Sequence, residues 1–300
     1  MKQVLLCSVI CFFAFPLVGQ QDPLYSQYIL NPFVLNPAYA GITNNLNTSL
    51  SFRQQWAGLE GSPRTINFNS HMSLVHNTVG AGLIFVSDKI GNRTINEVMT
   101  GGSYRITISK GKTLMMGLQA GVTNYQIDNS GILLYDISDP LFQGKVSESR
   151  PTLGAGIILK DEKFLVGFSV PRILASTFEM GGLQTSLYSR HYYLMGSYSF
   201  FLSKDIRFKP STLFKVVESA PLSADLNASL IIRKNYQAGL LTRNFNTYGA
   251  FLQMSIKDSL VIGYVFEVPS GNSVSTNFST HEIMLGYRIN VLSFHNGAGL

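Results

Sequence analysis

Residues 224–233 read ADLNASLIIR, and the character of the side chains alternates along this stretch. The apolar side chains of one face are those of Ala224, Leu226, Ala228, Leu230 and Ile232. The positions between them are mostly polar, with Asp225 and Asn227 among them. Because successive side chains of a β-strand point to opposite faces, the alternation predicts a strand with one apolar and one polar face.

The same alternation recurs along the chain, for example in TINFNSHMSL at 65–74 and again at 282–291. Strands of about ten residues with this pattern are typical of membrane-spanning β-barrels, and single-chain bacterial barrels have an even number of strands. We predict about fourteen antiparallel strands, at 46–54, 64–74, 78–87, 94–108, 113–126, 151–160, 163–171, 190–203, 206–216, 223–233, 236–243, 246–256, 259–268 and 281–292.

The charged side chains test this register. Within the expected strands, every one of the following falls on the polar face: Arg53, Glu97, Arg105, Arg207, Lys209, Lys215, Asp225, Arg233, Arg243, Glu267, Glu282 and Arg288. A soluble two-sheet sandwich also alternates, but its outer faces are solvated and carry many charges. Here only 13% of all residues are charged, about half the usual share. The pattern therefore favours an all-β transmembrane outer-membrane barrel with a polar lumen.

The links between the expected strands alternate in length. Tight charged links such as SKGKT and LKDEKF follow even-numbered strands, whereas most longer links follow odd-numbered ones. The longer links are 55–63, 88–93, 127–150, 172–189 and 269–280. Outer-membrane barrels have short periplasmic turns and longer extracellular loops, so both chain ends are expected on the periplasmic side.

The N-terminus predicts export. Residues 1–20 contain one basic residue, Lys2, then an apolar run and then small residues around Gly19, which is the pattern of a cleaved secretory signal peptide. Cys7 and Cys11 lie inside the apolar run rather than at the cleavage point, so no lipid anchor is expected. The expected division is therefore a signal peptide at 1–20, an N-terminal segment at 21–45 and a barrel at 46–294, located in the outer membrane.

Residues 26–41 read SQYILNPFVLNPAYAG, with two Asn-Pro pairs among apolar residues. Proline removes a backbone donor and favours extended geometry in the residue before it, so neither a helix nor a central strand is expected. We expect the prolines to hold the segment extended. The side chains are too apolar for a solvated tail. Segment 21–45 is therefore predicted to plug the lumen or to cap the periplasmic mouth.

Glycines cluster on the inward face of the expected strands. Two explanations stay open: curvature of the sheet, or a lumen kept wide enough for a segment to lie inside. The positions are Gly80, Gly82, Gly117, Gly121, Gly154, Gly156, Gly167, Gly239, Gly249, Gly263 and Gly286.

Catalytic and metal-binding patterns are weak. The five histidines share no metal-ligand spacing with one another or with carboxylates. His191 and Ser197 are conceivable partners in a barrel hydrolase, although interfacial polar residues are the simpler interpretation. Asp136 and Asp139 in the 127–150 link leave calcium binding open. A patch rich in Lys and Arg is lacking, which argues against a nucleic-acid partner. We expect no enzyme activity and no cofactor.

Three stretches resemble the PorP/SprF family of Bacteroidetes outer-membrane proteins: QDPLYSQYILNPFVLNPAYAG at 21–41, FRQQWAGLEGSPRT at 52–65 and GFSVPRIL at 167–174. The resemblance implies a role in type IX secretion and gliding motility. It further implies partners in the periplasmic ring or its lipoproteins, and cargo or surface adhesins that carry C-terminal signals. We also expect the outer surface of the barrel to contact outer-membrane lipid.

The resemblance also marks residues. The candidate plug or partner-contact residues are Gln27, Asn31, Pro32, Asn36, Pro37, Tyr39, Gly41, Arg53, Trp56, Gly58, Gly61 and Pro63. All of these except Tyr39 match motif positions of the family, as does Ala38. Trp56 is either an interface anchor or a residue that packs on the plug. The expected function is a non-enzymatic secretion component, and a passive outer-membrane channel or transporter is the alternative.

Overall fold

The computed structural model of the chain describes residues 26–75, 77–130, 144–180, 183–218, 220–270 and 277–290. The signal peptide expected at 1–20, the pair Asp136 and Asp139, and the end of the barrel expected at 291–294 lie outside these residues. Among the described residues, no helix has the length and apolar character needed to span a bilayer.

The described residues form long strands joined mostly by short links. The strands are β1 (Asn45–Gln54), β2 (Arg64–Leu74), β3 (Val79–Ile90), β4 (Arg93–Ser109), β5 (Lys112–Asp128), β6 (Lys145–Lys160), β7 (Phe164–Val170), β8 (Ser176–Met180), β9 (Leu183–Tyr188), β10 (His191–Tyr198), β11 (Phe200–Phe201), β12 (Ile206–Val217), β13 (Ser223–Ile232), β14 (Tyr236–Arg243), β15 (Thr247–Ile256), β16 (Leu260–Pro269) and β17 (Thr280–Asn290).

All strands except β8 and β9 belong to one antiparallel sheet that closes on itself. The order runs from β10 through β7 to β1, then to β17 and down to β12, which pairs back with β10. Strands β10 and β11 flank Ser199 and both pair with β12, so they form one strand of the wall. The fifteen strands of the sheet therefore make a closed barrel of fourteen, as predicted.

The two faces of the wall have the predicted register. In β13, Leu226 and Leu230 are exposed on the outer surface, whereas Asp225, Asn227 and Ser229 are buried inside. Most exposed large apolar side chains of the other strands follow the same rule. The apolar face therefore meets lipid and the polar face lines the lumen, so the buried residues of the protein lie inside the barrel.

The links define two ends of the barrel. At the short-turn end lie the chain's entry into β1, its exit from β17, and the turns 75–78, 110–111, 161–163, 202–205, 233–235 and 257–259. At the loop end lie the links 55–63, 91–92, 129–144, 171–190, 218–222, 244–246 and 270–279, of which 171–190 contains the β8–β9 hairpin.

Three local predictions are wrong. The link expected at 88–93 is only a two-residue turn at Gly91 and Asn92, because Gly91 adopts the left-handed φ of +56° that a tight turn needs. The strand expected at 190–203 is interrupted at Ser199, whose N–H bonds to the carbonyl of Lys163 at 2.6 Å. Arg233 lies in a turn at φ +50° and is exposed rather than on the polar face of a strand.

Candidate functional site

Residues 26–42, here called the luminal segment, lie inside the barrel and carry three short 3₁₀ helices, Gln27–Ile29, Pro32–Val34 and Pro37–Tyr39. The expectation of an extended segment is therefore wrong. Asn36 is extended, and Asn31, at φ −142° and ψ 89°, also lies outside the helical region, as residues before proline should. Each proline then occupies the first turn of a helix, where its missing N–H costs nothing.

The two asparagines cap these helices. The Oδ1 atom of Asn31 accepts a hydrogen bond from Phe33 N at 3.2 Å, and that of Asn36 accepts one from Ala38 N at 3.0 Å. An Asx cap of this kind satisfies one of the free N–H groups at a helix start. Each Asn-Pro pair therefore starts a short helical turn in which the asparagine side chain bonds the N–H of the second helical residue.

The amide nitrogens of the same asparagines bind the wall. Asn31 Nδ2 donates to Ser49 Oγ at 3.0 Å and to Asn69 Oδ1 at 2.6 Å, on β1 and β2. Asn36 Nδ2 donates to the carbonyls of Ile157 and Phe168 at 3.3 and 3.2 Å, on β6 and β7. The two pairs thus attach the segment to different sides of the lumen.

Apolar side chains of the segment fill the space between these attachments. Phe33 is fully buried against Ile84, Val86 and Met99. On other sides of the lumen, Ala38 packs with Met115 and Ile158, and Leu35 with Met195 and Leu213. A fully buried side chain of this size contributes about 1.5–3 kcal/mol, so the packing is a large part of what orders the segment.

Inward glycines make this close approach feasible. A Cβ added to Gly82 would overlap the ring of Phe33, one added to Gly117 would overlap the backbone at Ala38, and one added to Gly156 would overlap Asn36 Oδ1. At these positions the wall lacks side chains where the segment lies. Of the two explanations for the inward glycines, room for a segment in the lumen accounts for these three.

The C-terminal end of the segment is held near the short-turn end. Gly41 has a left-handed φ of +63°, and its N–H donates to His71 Nδ1 at 3.2 Å. Its carbonyl accepts from Arg105 Nη2 at 2.6 Å. Tyr39 packs edge-on against His71, with 5.8 Å between the ring centres. The chain then turns into β1 at Asn45.

The N-terminal end lies in a cluster of buried charges near the loop end. Arg53 pairs with Glu267 at 2.7 Å and with Glu282 at 3.1 Å, and all three side chains are almost fully buried. Ser26 N donates to Glu282 at 3.1 Å, and the Ser26 hydroxyl binds Glu267. Buried charges are stable only when they are paired and hydrogen-bonded. The hydrogen bonds from Ser26 therefore help to stabilise the buried carboxylates of this cluster.

A second ion pair continues the cluster. Arg243 contacts Asp225 at 3.1 Å and approaches Glu267 at 3.7 Å. Tyr28 donates its hydroxyl to Asp225 at 3.2 Å. Burial, reinforced by the Asp225 carboxylate, raises the pKa of the Tyr28 phenol well above its ordinary value, so the hydroxyl stays protonated and keeps donating.

The candidate residues fall into two groups. The first group meets in the lumen and consists of Asn31, Pro32, Asn36, Pro37, Tyr39, Gly41 and Arg53, with the motif residue Ala38 beside them. Gln27 lies in the first 3₁₀ helix. The others form the 55–63 link at the loop end. Trp56 is half-buried at φ +52° and its N–H donates to Thr280 Oγ1 at 3.2 Å. Gly58 and Gly61 also have positive φ, and Pro63 accepts from Gln55 N at 3.0 Å.

Sequence reasoning missed Ser26 and Tyr28 as charge-cluster partners. It placed Asp225, Arg243, Glu267 and Glu282 on the polar face but did not assign their partners, which depend on strand register. Asp225 lies opposite Arg243 on the neighbouring strands β13 and β14, and Arg53 lies opposite Glu282 on β1 and β17. The inward parity of each charge was therefore readable, whereas the register and the pairing of β1 with β17 came from the structure.

The described residues contain no group of three or more His, Cys, Asp and Glu side chains arranged to hold a metal ion. His191 and Ser197 are six residues apart on one strand, β10, which separates them by roughly 20 Å. His191 Nδ1 instead contacts the Ser189 carbonyl at 2.8 Å. These two residues do not form a hydrolase pair.

Closure of the strands, a lipid-facing apolar surface and a lumen occupied by the chain's own N-terminal region define an integral outer-membrane β-barrel. Within that class, the chain belongs to the PorP/SprF family of type IX secretion system membrane proteins, whose family model matches residues 17–287. The resemblance found in the sequence is thereby confirmed.

Solved structures of other barrels are similar to this chain at low sequence identity. Omp33 of Acinetobacter baumannii is 9% identical with a TM-score of 0.46, over 82% of this chain and 99% of that one. The NanC porin is 10% identical with a TM-score of 0.42, over 80% and 97%. BamA from Haemophilus ducreyi lacking POTRA domains 1–3 is 7% identical with a TM-score of 0.43, over 81% and 70%. A search of the curated proteins finds no match.

Proposed function

We propose that this protein is a non-enzymatic component of type IX secretion whose barrel is closed by its own luminal segment. In this role it supports the secretion or surface attachment of cargo and adhesins, including those used in gliding motility, and contacts the periplasmic ring or its lipoproteins. Family membership supports the secretion role.

The path of residues 26–42 through the lumen is the observation that supports a closed barrel. Side chains and backbone groups of these residues bind strands on several sides of the lumen, from Asn69 on β2 to Ile157 on β6 and Glu282 on β17. A passive channel needs an open path with charges at its constriction. The charges of the loop-end cluster are instead paired with one another and with Ser26, which favours a scaffold over a channel.

The two groups of candidate residues have different roles in this proposal. The luminal group acts as the plug. Trp56, Gly58, Gly61 and Pro63 form a contact surface for cargo or adhesin at the loop end, which faces the cell exterior. The wall supplies no arrangement that activates a nucleophile among the described residues, so no catalytic step is assigned.

Planar-bilayer recordings test closure. Full-length protein should give no conductance steps of the size expected for an open barrel, whereas a variant lacking residues 26–42 should give large, stable steps, because the side chains that fill the lumen are removed. Heat-modifiable gel mobility checks that the variant still forms a barrel. The double variant Asn31→Ala and Asn36→Ala loosens the segment in an intact chain. Large steps from the unaltered protein would favour the channel alternative.

A secretion assay tests the cellular role separately. Removal of the gene should lower the amount of surface cargo that carries C-terminal secretion signals, and the intact gene should restore it. Affinity purification from outer membranes with mass spectrometry should recover periplasmic secretion components. Normal cargo display without the protein would contradict the role in secretion whatever the bilayer recordings give.

A further inference from the structure

The luminal segment leaves space between itself and part of the wall. Two adjoining cavities, of about 220 and 160 Å³, lie between the segment and residues of β1, β2, β7, β10, β12 and β14–β17. Leu30, Tyr39, Gln253 and Arg288 line both of them. At roughly 10–15 Å³ for each water, the smaller cavity has room for a group the size of a charged side chain, but not for a folded domain.

This space lies at the short-turn end of the barrel. Lys209 is three residues from the start of β12 at Ile206, and Arg288 is two residues from the end of β17 at Asn290. Gln237 follows the first residue of β14, and Gln253 is three residues from the end of β15 at Ile256. Short turns of outer-membrane barrels face the periplasm, so a ligand would enter from that side.

The charges of the cavity are of one sign. Lys209 and Arg288 line the smaller cavity, from strands on different sides of it, and neither Asp nor Glu is among its described lining residues. Neither cation has a carboxylate within salt-bridge distance in the described part of the chain. This differs from the loop end, where Arg53, Arg172 and Arg243 all form ion pairs.

We propose that this cavity binds a carboxylate group carried by an acidic polypeptide segment that enters from the periplasm. Lys209 and Arg288 supply charge-assisted hydrogen bonds to the carboxylate, and the half-enclosed site concentrates their field. The luminal segment adds an apolar surface, with Ile29, Leu30 and Pro32, against which the aliphatic part of a peptide packs. A bare inorganic anion would leave that apolar surface uncovered. The assignment of a polypeptide partner rests on the proposed secretion role.

Fluorescence anisotropy on the full-length protein in detergent tests the site. The probe is a fluorescein-labelled oligoglutamate peptide, with the matching oligoglutamine peptide as its uncharged control. The double variant Lys209→Gln and Arg288→Gln should weaken oligoglutamate binding about tenfold or more, since it removes both charge-assisted hydrogen bonds to the carboxylate. Raising the salt concentration should weaken binding to the unaltered protein as well.

Arg207→Gln provides the matched control. Arg207 also lies on β12 near the short-turn end, but its guanidinium stacks on the Phe201 ring at 4.8 Å and it does not line the cavity. This variant should bind oligoglutamate as the unaltered protein does. Absence of oligoglutamate binding, equal weakening by Arg207→Gln, or displacement of the peptide by inorganic phosphate at low concentration would each overturn the proposal. None of these outcomes depends on the secretion assay, so the two proposals can fail independently.

Discussion

Asn31 and Asn36 each use a single side-chain amide for two tasks. The oxygen accepts from a backbone N–H two residues further on, and the nitrogen donates to the barrel wall. Aspartate could perform the first task but not the second, and proline at the next position makes the first necessary. The chemistry of the Asn-Pro pair is therefore specific to the amide.

Asn36→Asp tests this division of tasks. The variant keeps the cap on Ala38 N but loses both donors and places a buried carboxylate beside the carbonyls of Ile157 and Phe168. Leaving buried polar partners unmade costs about 1–3 kcal/mol, and more for a charge. Limited proteolysis followed by mass spectrometry should show faster cleavage within 26–42. Asn44→Asp, an exposed position just beyond the segment, should leave the cleavage rate unchanged.

At the scale of the element, the luminal segment and the wall fit because each is small where the other is large. Phe33 lies over Gly82, and the backbone at Ala38 lies over Gly117. The 3₁₀ helices shorten the segment, so its apolar side chains reach several sides of the lumen within seventeen residues (26–42). An extended segment with the same number of residues would span a greater distance and would present its side chains on only two faces.

Gly156→Ala should dislodge the segment while leaving the wall intact. The added Cβ would overlap Asn36 Oδ1, an atom fixed by its own hydrogen bond, so the segment must move. Gly101→Ala is the control, since its Cβ would lie 3.4 Å from the nearest atoms on the same inward face. The first variant should show bilayer conductance and the second should not. Equal conductance from the two would mean that this contact does not hold the segment in place.

At the scale of the whole molecule, the sheet separates lipid from the lumen, and successive side chains of one strand face lipid and lumen in turn. Leu252 is 60% exposed on the lipid side near the middle of β15, whereas Gln253 faces the luminal cavity. The same alternation puts the paired charges inside and leaves the outer band apolar. Stability of the barrel in lipid therefore depends on register along every strand.

Leu252→Arg should impair assembly, because arginine at the bilayer midplane costs roughly 2–4 kcal/mol in a barrel. Gln253→Arg, one residue further on, should assemble better than Leu252→Arg, because its side chain stays in the lumen and out of lipid, even though the new charge lies beside Lys209 and Arg288. Heat-modifiable gel mobility after membrane extraction measures the folded fraction of each. The register would be wrong if the second variant assembled no better than the first.

The orientation of the barrel gives a further prediction. An epitope tag inserted in the 129–144 or 171–190 link should be reached by antibody on intact cells, because long links are extracellular in this class. A tag between Asp161 and Glu162, in the short turn after β6, should be reached only after the outer membrane is opened. Labelling of the second tag alone on intact cells would invert the orientation.

Much of this architecture could be predicted from local pattern. The alternation in 224–233 is enough to place Leu226 outside and Asn227 inside, since side-chain direction in a strand depends only on parity. The link expected at 88–93 is wrong because β3 continues through Asp88 to Ile90, and the Asp88 side chain is buried in the lumen. The effect of proline on the preceding residue was anticipated, as was the ability of the asparagine side chains to bond neighbouring backbone groups, but the 3₁₀ helices that these bonds cap were not.

Contacts between distant parts of the chain could not be predicted in this way. Ser26 and Glu282 are 256 positions apart, and no periodicity in the sequence indicates that they meet. Their pairing follows from closure of the sheet and from the position of the N-terminal end of the luminal segment near the loop end of the barrel. The candidate residues of 26–41 were marked by composition and by resemblance, while their partners on the wall came only from the structure.

The placement of Ser26 has a consequence for the order of assembly. Strands β1 and β17 meet across ten residue pairs, with Arg53 directly opposite Glu282, and Ser26 holds both the first strand and the last two. Because Ser26 contacts strands from both ends of the sheet, we expect the segment to be enclosed while the sheet closes. The part of the chain that is synthesised first would then stay unenclosed until the last strands pair. It then serves as the surface on which they dock, so the seam and the enclosed segment are completed in one late step, slow because it joins distant parts of the chain.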